Sequence, residues 1–223
     1  MDALRNIFRR TPPDFRWGIG IFFLAILPFL PSAGYPFLIE WDDGRFVLFN
    51  ERLIPSWENA LHLATHPFQT LYTPLPMLSL MVDRLLFGLT PAGYHWHNLL
   101  LHGVAAVLLF GIFRRLELRS WIAAAAALLW AVLPARVESV AWIVERKDLT
   151  AGVFAFAAVW FFLRAAAQGK CSWCGAVLLF LAGVSKPSTL PLFGVMALYL
   201  LCRNGFRWSV LRPVIPQAAA AIL

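Results

Sequence analysis

Apolar runs recur along this chain, and short clusters of arginine and lysine close them. The runs are Trp17 to Ile39, His95 to Phe113, Trp121 to Pro134, Leu149 to Leu163 and Trp173 to Cys202. A helix of about 20 such residues crosses a bilayer core. Of 223 residues, 60% are hydrophobic and 14% charged, so a soluble domain lacks the polar residues to cover its outside. The net charge of +7 does not mark a nucleic-acid surface, because the basic residues form no single patch. Arg5, Arg9, Arg10 and Arg16 precede the first run; Arg114, Arg115 and Arg119 follow the second. Arg164 and Lys170, then Arg203, Arg207 and Arg212, close later ones. Alternate loops rich in Lys and Arg are the pattern of cytoplasmic loops in a polytopic membrane protein.

The expected fold is therefore an all-α polytopic transmembrane bundle, with about six spans and interfacial helices in the first external loop. Arg5 to Arg16 followed by Gly18 to Leu30 also fits the opening of a signal peptide. No small-x-small cleavage site follows and apolar character resumes at Tyr35 to Ile39, so an uncleaved first helix is expected, kinked at Pro28 and Pro31. The last run, broken at Ser185-Lys186-Pro187, is expected to turn back as a helical hairpin, which returns Arg203 and Arg207 to the cytoplasmic side. Thr73 to Leu89 carries Pro74, Pro76, Asp83 and Arg84 and suits an interfacial or re-entrant helix. The resulting division is a cytoplasmic N-terminus over 1–16, a membrane domain over 17–203 and a cytoplasmic loop with the start of a further apolar segment over 204–223. External loops lie at about 40–94 and 136–148. Cys171 and Cys174 form a CxxC, but no second pair exists to complete a zinc site, and the predicted loop is on the reducing side.

Ionisable residues concentrate on the external side. Asp42 and Asp43 directly follow the first span. Adjacent carboxylates repel each other unless a cation or proton-bearing substrate neutralises them, and one could serve as a general base. Asp-Asp-Gly is equally ordinary turn sequence. The second loop holds Arg136, Glu138, Glu145, Arg146, Lys147 and Asp148. If helical throughout, it puts Glu138, Trp142 and Glu145 on one face and suits an anionic headgroup; the alternative is a salt-bridged turn. Lys186 is either a site residue or a lysine snorkelling to the same interface. His95, Asn98 and His102 share a helical face, read as interhelical hydrogen bonding in preference to a metal site.

Taken together these residues resemble the membrane domain of the GT-C glycosyltransferases. The group they are most similar to is the TMTC-type, protein O-mannosyltransferase-like one, with its bacterial relatives that carry tetratricopeptide repeats. The matching pieces are Trp41-Asp42-Asp43 with Phe46, Val47 and Asn50, then Tyr72-Thr73-Pro74-Leu75, and Leu86 to Gly93 with His95, Asn98 and His102. Val137 to Asp148 and Ser185-Lys186-Pro187 complete them, so the resemblance covers roughly 38 to 190.

The resemblance implies a membrane transferase that moves a sugar, mannose or another hexose, from a polyprenyl-phosphate donor to a protein or glycan hydroxyl outside the cytoplasmic face. It implies that Asp42 or Asp43 is the catalytic base and that Glu138 and Asp148 are the acidic residues of the second loop. Arg146, Lys147 and Lys186 suit the lipid phosphate by their chemistry. A divalent metal, Mg or Mn, stays open, with Asp43, Glu138 and Asp148 as candidate ligands. The membrane expected is a bacterial inner membrane, with the N-terminus cytoplasmic. Where the family has His-Pro before the second motif this chain has Leu133-Pro134, and the further helices and repeats of those relatives are not in the sequence. A non-catalytic membrane component and a transporter are the alternative readings.

Overall fold

The computed structural model describes residues 12–205 and 208–221. Arg5, Arg9, Arg10, Arg207, Ile222 and Leu223 lie outside the described residues. Helix dominates, with no strand among the described residues beyond an isolated Phe68–Leu71 bridge.

Helix α1, Pro12–Ile26, continues as a 3₁₀ helix over Leu27–Gly34. The change falls at Pro28, which has no N–H to give back to the preceding turn, and Pro31 prolongs it. The expected kink is thus a tightening of the helix, and the span ends at Gly34, short of Ile39. Two helices of the first loop follow, α2 over Trp57–Thr65 and α3 over Pro74–Phe87. Helix α4, Pro91–Arg115, is the longest, starting on Pro91, where a missing N–H costs nothing. Next come α5 over Ser120–Val132, the short α6 over Val137–Ala141, and α7 over Arg146–Ala166. The chain closes with α8 over Trp173–Gly183, α9 over Leu192–Asn204 and α10 over Ile215–Ala220.

By length and composition three segments, Asp14–Gly34, Pro91–Arg115 and Arg146–Ala166, are able to cross a membrane, and four if α5 and the segment Pro134–Ala141, bent by 59°, count as one. Of the six spans expected, the remaining two are α8 and α9, with 11 and 13 residues. Both are shorter than the roughly 20 residues a bilayer core requires, because Pro187 and Pro191 interrupt the run between them. Helix α3, at 14 residues, is likewise not of spanning length.

Small residues let the spans approach. Ala123, Ala124, Ala127 and Ala131 of α5 are buried against Ile21 and Ala25 of α1 and Ala106 of α4. A Cβ on Gly103 would stand 2.7 Å from the Phe22 ring, so glycine sets the α1–α4 spacing there. Contacts of this kind carry association inside lipid, where apolar burial alone does not distinguish protein from solvent.

Ion pairs fix the ends. At one end Arg114 Nε donates to both carboxylate oxygens of Asp14, at 3.1 and 3.0 Å, and Arg203 pairs with Glu117 at 2.8 Å. At the other, Lys186 pairs with Asp148 at the start of α7. Because α9 begins near Lys186 and ends at Arg203, the chain does turn at Lys186 and come back. Arg16, Arg114, Arg115, Arg119, Arg164, Lys170 and Arg203 gather at the Glu117 end, while the Asp148 end carries most of the carboxylates.

Candidate functional site

Beyond the spans, at the Asp148 end, the first loop builds a small core of its own. Val47, Leu53 and Leu63 pack with Met77, Leu80 and Met81 of α3, with Tyr94 of α4, and with Ile143 and Val144 of the second loop. The two loops are therefore one packed body.

Asp43 lies at their junction. After Gly34 the chain is extended, then turns through Leu38–Trp41, where the Trp41 N–H meets the Leu38 carbonyl at 3.0 Å. Asp43 Oδ2 accepts the Leu38 N–H at 2.9 Å, so the carboxylate closes its own turn. Gly44 allows the close return: a Cβ there would stand 2.5 Å from the Ile39 carbonyl oxygen. Replacing Gly44 with alanine therefore displaces this turn, and a destabilisation of about 1–3 kcal/mol is expected on thermal unfolding in detergent.

Only 1% of Asp43 is exposed, and its Oδ1 makes no hydrogen bond of ordinary geometry, although the Val144 N–H and the Trp142 indole act on the carboxyl. The Trp142 indole nitrogen is buried at the same junction, outside ordinary hydrogen-bond geometry. Burial pushes the Asp43 carboxyl above the ordinary aspartate range, and the Asp42 charge adds to this; the Leu38 and Val144 N–H groups and the Trp142 indole act the other way. Trp41 covers the junction, edge to face with Trp142 at 5.1 Å. Asp42 is half-buried and makes no hydrogen bond or ion pair among the described residues.

The same second-loop stretch that touches Asp43 through Trp142 and Val144 continues into two ion pairs. Lys147 Nζ donates to Glu145 Oε1 at 2.6 Å. Lys186 donates to Asp148 Oδ1, and Ser139 donates to Asp148 Oδ2 at 3.3 Å. Both lysines keep exposed surface. Glu138 is exposed.

Several sequence expectations change here. A continuous helical face of Glu138, Trp142 and Glu145 does not form, because Trp142 takes an extended conformation with ψ 122° and ends α6. Arg146, expected at a lipid phosphate, is 0% exposed. Its Nε donates to Asn98 at 2.8 Å, one terminal nitrogen pairs with Asp83, and the other donates to the Tyr94 carbonyl at 2.8 Å. Each guanidinium nitrogen is thus already engaged inside the protein. Among the described residues no three His, Cys, Asp or Glu side chains converge as metal ligands, so Asp43, Glu138 and Asp148 do not form the set envisaged for a divalent metal.

Asn98 and His102 do bond across to neighbouring segments, Asn98 to the Val140 and Trp142 carbonyls and His102 to the Ala131 carbonyl at 3.1 Å. His95 is buried, edge to face with Tyr35 at 6.3 Å, and its ring nitrogens make no hydrogen bond of ordinary geometry. Cys171 and Cys174 are exposed free thiols. The sequence reading missed Asp83, His97 and Asn98 as partners of Arg146, and Trp142 as the cover of Asp43. Asp83 carried a signal, as an acid in an apolar helix that must find a cation, and Asn98 carried one as a polar side chain on a bundle-facing helix.

Comparison with known proteins gives the family of this arrangement. The family described as dolichyl-phosphate-mannose-protein mannosyltransferase matches residues 73–223, a match that begins after Asp43. The chain is 29% identical over 163 residues to protein O-mannosyl-transferase tmtc2 of Xenopus laevis, covering 68% of this chain and 19% of that protein. It is 32% identical over 174 residues to protein O-mannosyl-transferase TMTC3 of Mus musculus, covering 71% of this chain and 19% of the relative. Over 82 residues, 37% of this chain and 10% of the relative, it is 43% identical to protein O-mannosyl-transferase Tmtc1 of Drosophila melanogaster. The chain thus spans no more than about a fifth of the length of these relatives. No solved structure matches it.

Proposed function

The chain belongs to the dolichyl-phosphate-mannose-protein mannosyltransferase family, and on that footing we propose that it carries the catalytic end of a membrane glycosyltransferase. The donor is a polyprenyl-phosphate-linked mannose or another hexose, and the acceptor a protein or glycan hydroxyl. The observation that carries this reading is the Asp43 carboxylate, enclosed where the two loops meet, with one oxygen held by Leu38 and the other outside ordinary hydrogen-bond geometry beside the Val144 N–H and the Trp142 indole.

When the acceptor enters beneath the Trp142 cover, Asp43 Oδ1 takes the proton of its hydroxyl. The acceptor oxygen then forms a bond to the anomeric carbon as the bond from that carbon to the lipid phosphate oxygen breaks, with inversion. The electron pair leaves with the phosphate, whose growing charge Lys147 and Lys186 stabilise. Glu145 and Asp148 keep these lysines charged and oriented until the phosphate displaces them. Asp42, outside the enclosure, tunes Asp43 by its charge. Arg146 is assigned to the scaffold and no longer to the phosphate.

The orientation that goes with this reading puts the arginine-rich Glu117 end in the cytoplasm and Asp43 outside it. For a bacterial inner membrane, the reading from the sequence, that face is the periplasmic one; the three relatives named above come from animals. A non-catalytic membrane role is the second reading.

Lys186→Gln in membranes supplied with labelled polyprenyl-phosphate mannose tests the assignment. Loss of one charge-assisted contact to the phosphate, worth about 1.5–3 kcal/mol, raises the donor KM or lowers kcat/KM roughly tenfold or more. Unchanged donor kinetics remove Lys186 from the site.

A further inference from the structure

The second loop leaves helical geometry at Trp142, and this creates a carbonyl problem that one side chain solves. Where α6 ends, the Val140 and Trp142 carbonyls have no helix to continue into. Asn98, 0% exposed on α4, donates its amide to both, at 3.3 and 3.1 Å. The orientation of that amide is settled by chemistry. Arg146 can only donate, so the Asn98 oxygen must face the Arg146 Nε, 2.8 Å away, and the NH₂ must face the two carbonyls. Arg146 is in turn anchored by Asp83 of α3 and the Tyr94 carbonyl of α4. The extended segment that Asn98 holds carries Trp142 and Val144 over Asp43.

We infer that Asn98 is a positioning residue for Asp43: by clamping the Val140–Trp142 backbone it keeps the Trp142–Val144 segment closed over the carboxylate and water out of the junction. The inference deepens the reading of Asp43 as the base and rests on it. The elements packed on Asp43 bring it Leu38, Trp142 and Val144, none of them charged, and Asp42 is the charged neighbour that acts on it. The covering segment therefore controls how dry the carboxylate is, and dryness is what holds its affinity for a proton above that of an ordinary aspartate. Loosening the clamp admits water and returns Asp43 toward the ordinary value of about 3.9. Removing the indole N–H alone, as in Trp142→Phe, takes away a group that favours the charged form and moves the carboxyl the other way, upward.

The test uses the full chain in membranes and a hydrophobic carbodiimide, which adds to a protonated carboxyl. The labelled fraction of Asp43, separated from Asp42 by fragment masses, is followed against pH. Wild type holds its labelling above the ordinary carboxylate range; Asn98→Ala moves the midpoint down, and Trp142→Phe moves it up. If the alanine variant does not insert, Asn98→Ser, which keeps a small side chain there, replaces it. A folded Asn98 variant with the wild-type midpoint overturns the inference. Sugar transfer by Asp43→Asn is measured alongside: activity retained there defeats the reading of Asp43 as base, whatever the midpoints are, so the two failures are distinguishable.

Discussion

On the proposed reading, replacing Asp43 with asparagine is expected to lower sugar transfer by about 10²–10⁴-fold, the span that a general base contributes, and Asp42→Asn to lower it far less. The asymmetry comes from the surroundings of the two neighbours. Asp43 has its Oδ2 fixed by the Leu38 N–H and its Oδ1 free of ordinary hydrogen bonds inside the loop junction, whereas Asp42 is half-buried and makes none of the described hydrogen bonds. Asparagine fills the same volume, so the turn stays and the proton acceptor is lost. The pH profile follows in sign. A base works deprotonated, and burial raises this carboxyl above the ordinary range, so the acidic limb of the rate lies above the ordinary value of about 3.9. The same shift means that the folded state binds a proton more tightly than the unfolded one, so the contribution of Asp43 to stability declines as pH rises through that window. Initial rates in membranes between pH 4 and 8 check the limb.

Arg146→Met is expected to be the most damaging substitution to the fold. Arg146 is fully buried and Asp83 is 1% exposed, so removing the guanidinium leaves a carboxylate enclosed with no full counter-charge beyond His97, whose ring nitrogen is 2.8 Å away. Breaking such a pair from one side costs about 3–5 kcal/mol. It also leaves Asn98 and the Tyr94 carbonyl without their donor. The double variant Arg146→Met with Asp83→Asn removes both charges, and replacing a buried pair as a whole is close to neutral in other folds, so it recovers most of the loss. Thermal unfolding in detergent, followed for wild type, the single and the double variant, measures this. A single variant as stable as wild type contradicts the buried lock.

The sequence made the membrane class, the turn at Lys186 and the separation of charge legible, because each depends on residue type along the chain alone. Arg114, Arg115 and Arg203 mark one end of the bundle by the positive-inside pattern, and the pairing of Arg114 with Asp14 and of Arg203 with Glu117 adds only detail. The span count was harder: Pro187 and Pro191 shorten α8 and α9, and whether the bent α5 segment crosses once depends on its 59° turn. The chemical residues were legible as a set and not as roles. Arg146 and Lys147 are adjacent in sequence, yet one is locked behind Asn98 and the other faces outward beside Glu145. That difference arises where α7 begins, since successive helical residues point about 100° apart. The distinction between Asp42 and Asp43 has the same origin, in a turn whose closure by Gly44 brings one carboxylate inward.

The most direct test supplies labelled polyprenyl-phosphate mannose and a hydroxyl-bearing peptide to membranes containing the full chain, with Asp43→Asn as the paired sample. Transfer or release of the sugar by the wild type, lost in Asp43→Asn protein of equal abundance, is the predicted result. Sugar transfer that survives Asp43→Asn, or none from folded wild type across several lipid-linked sugars, contradicts the account.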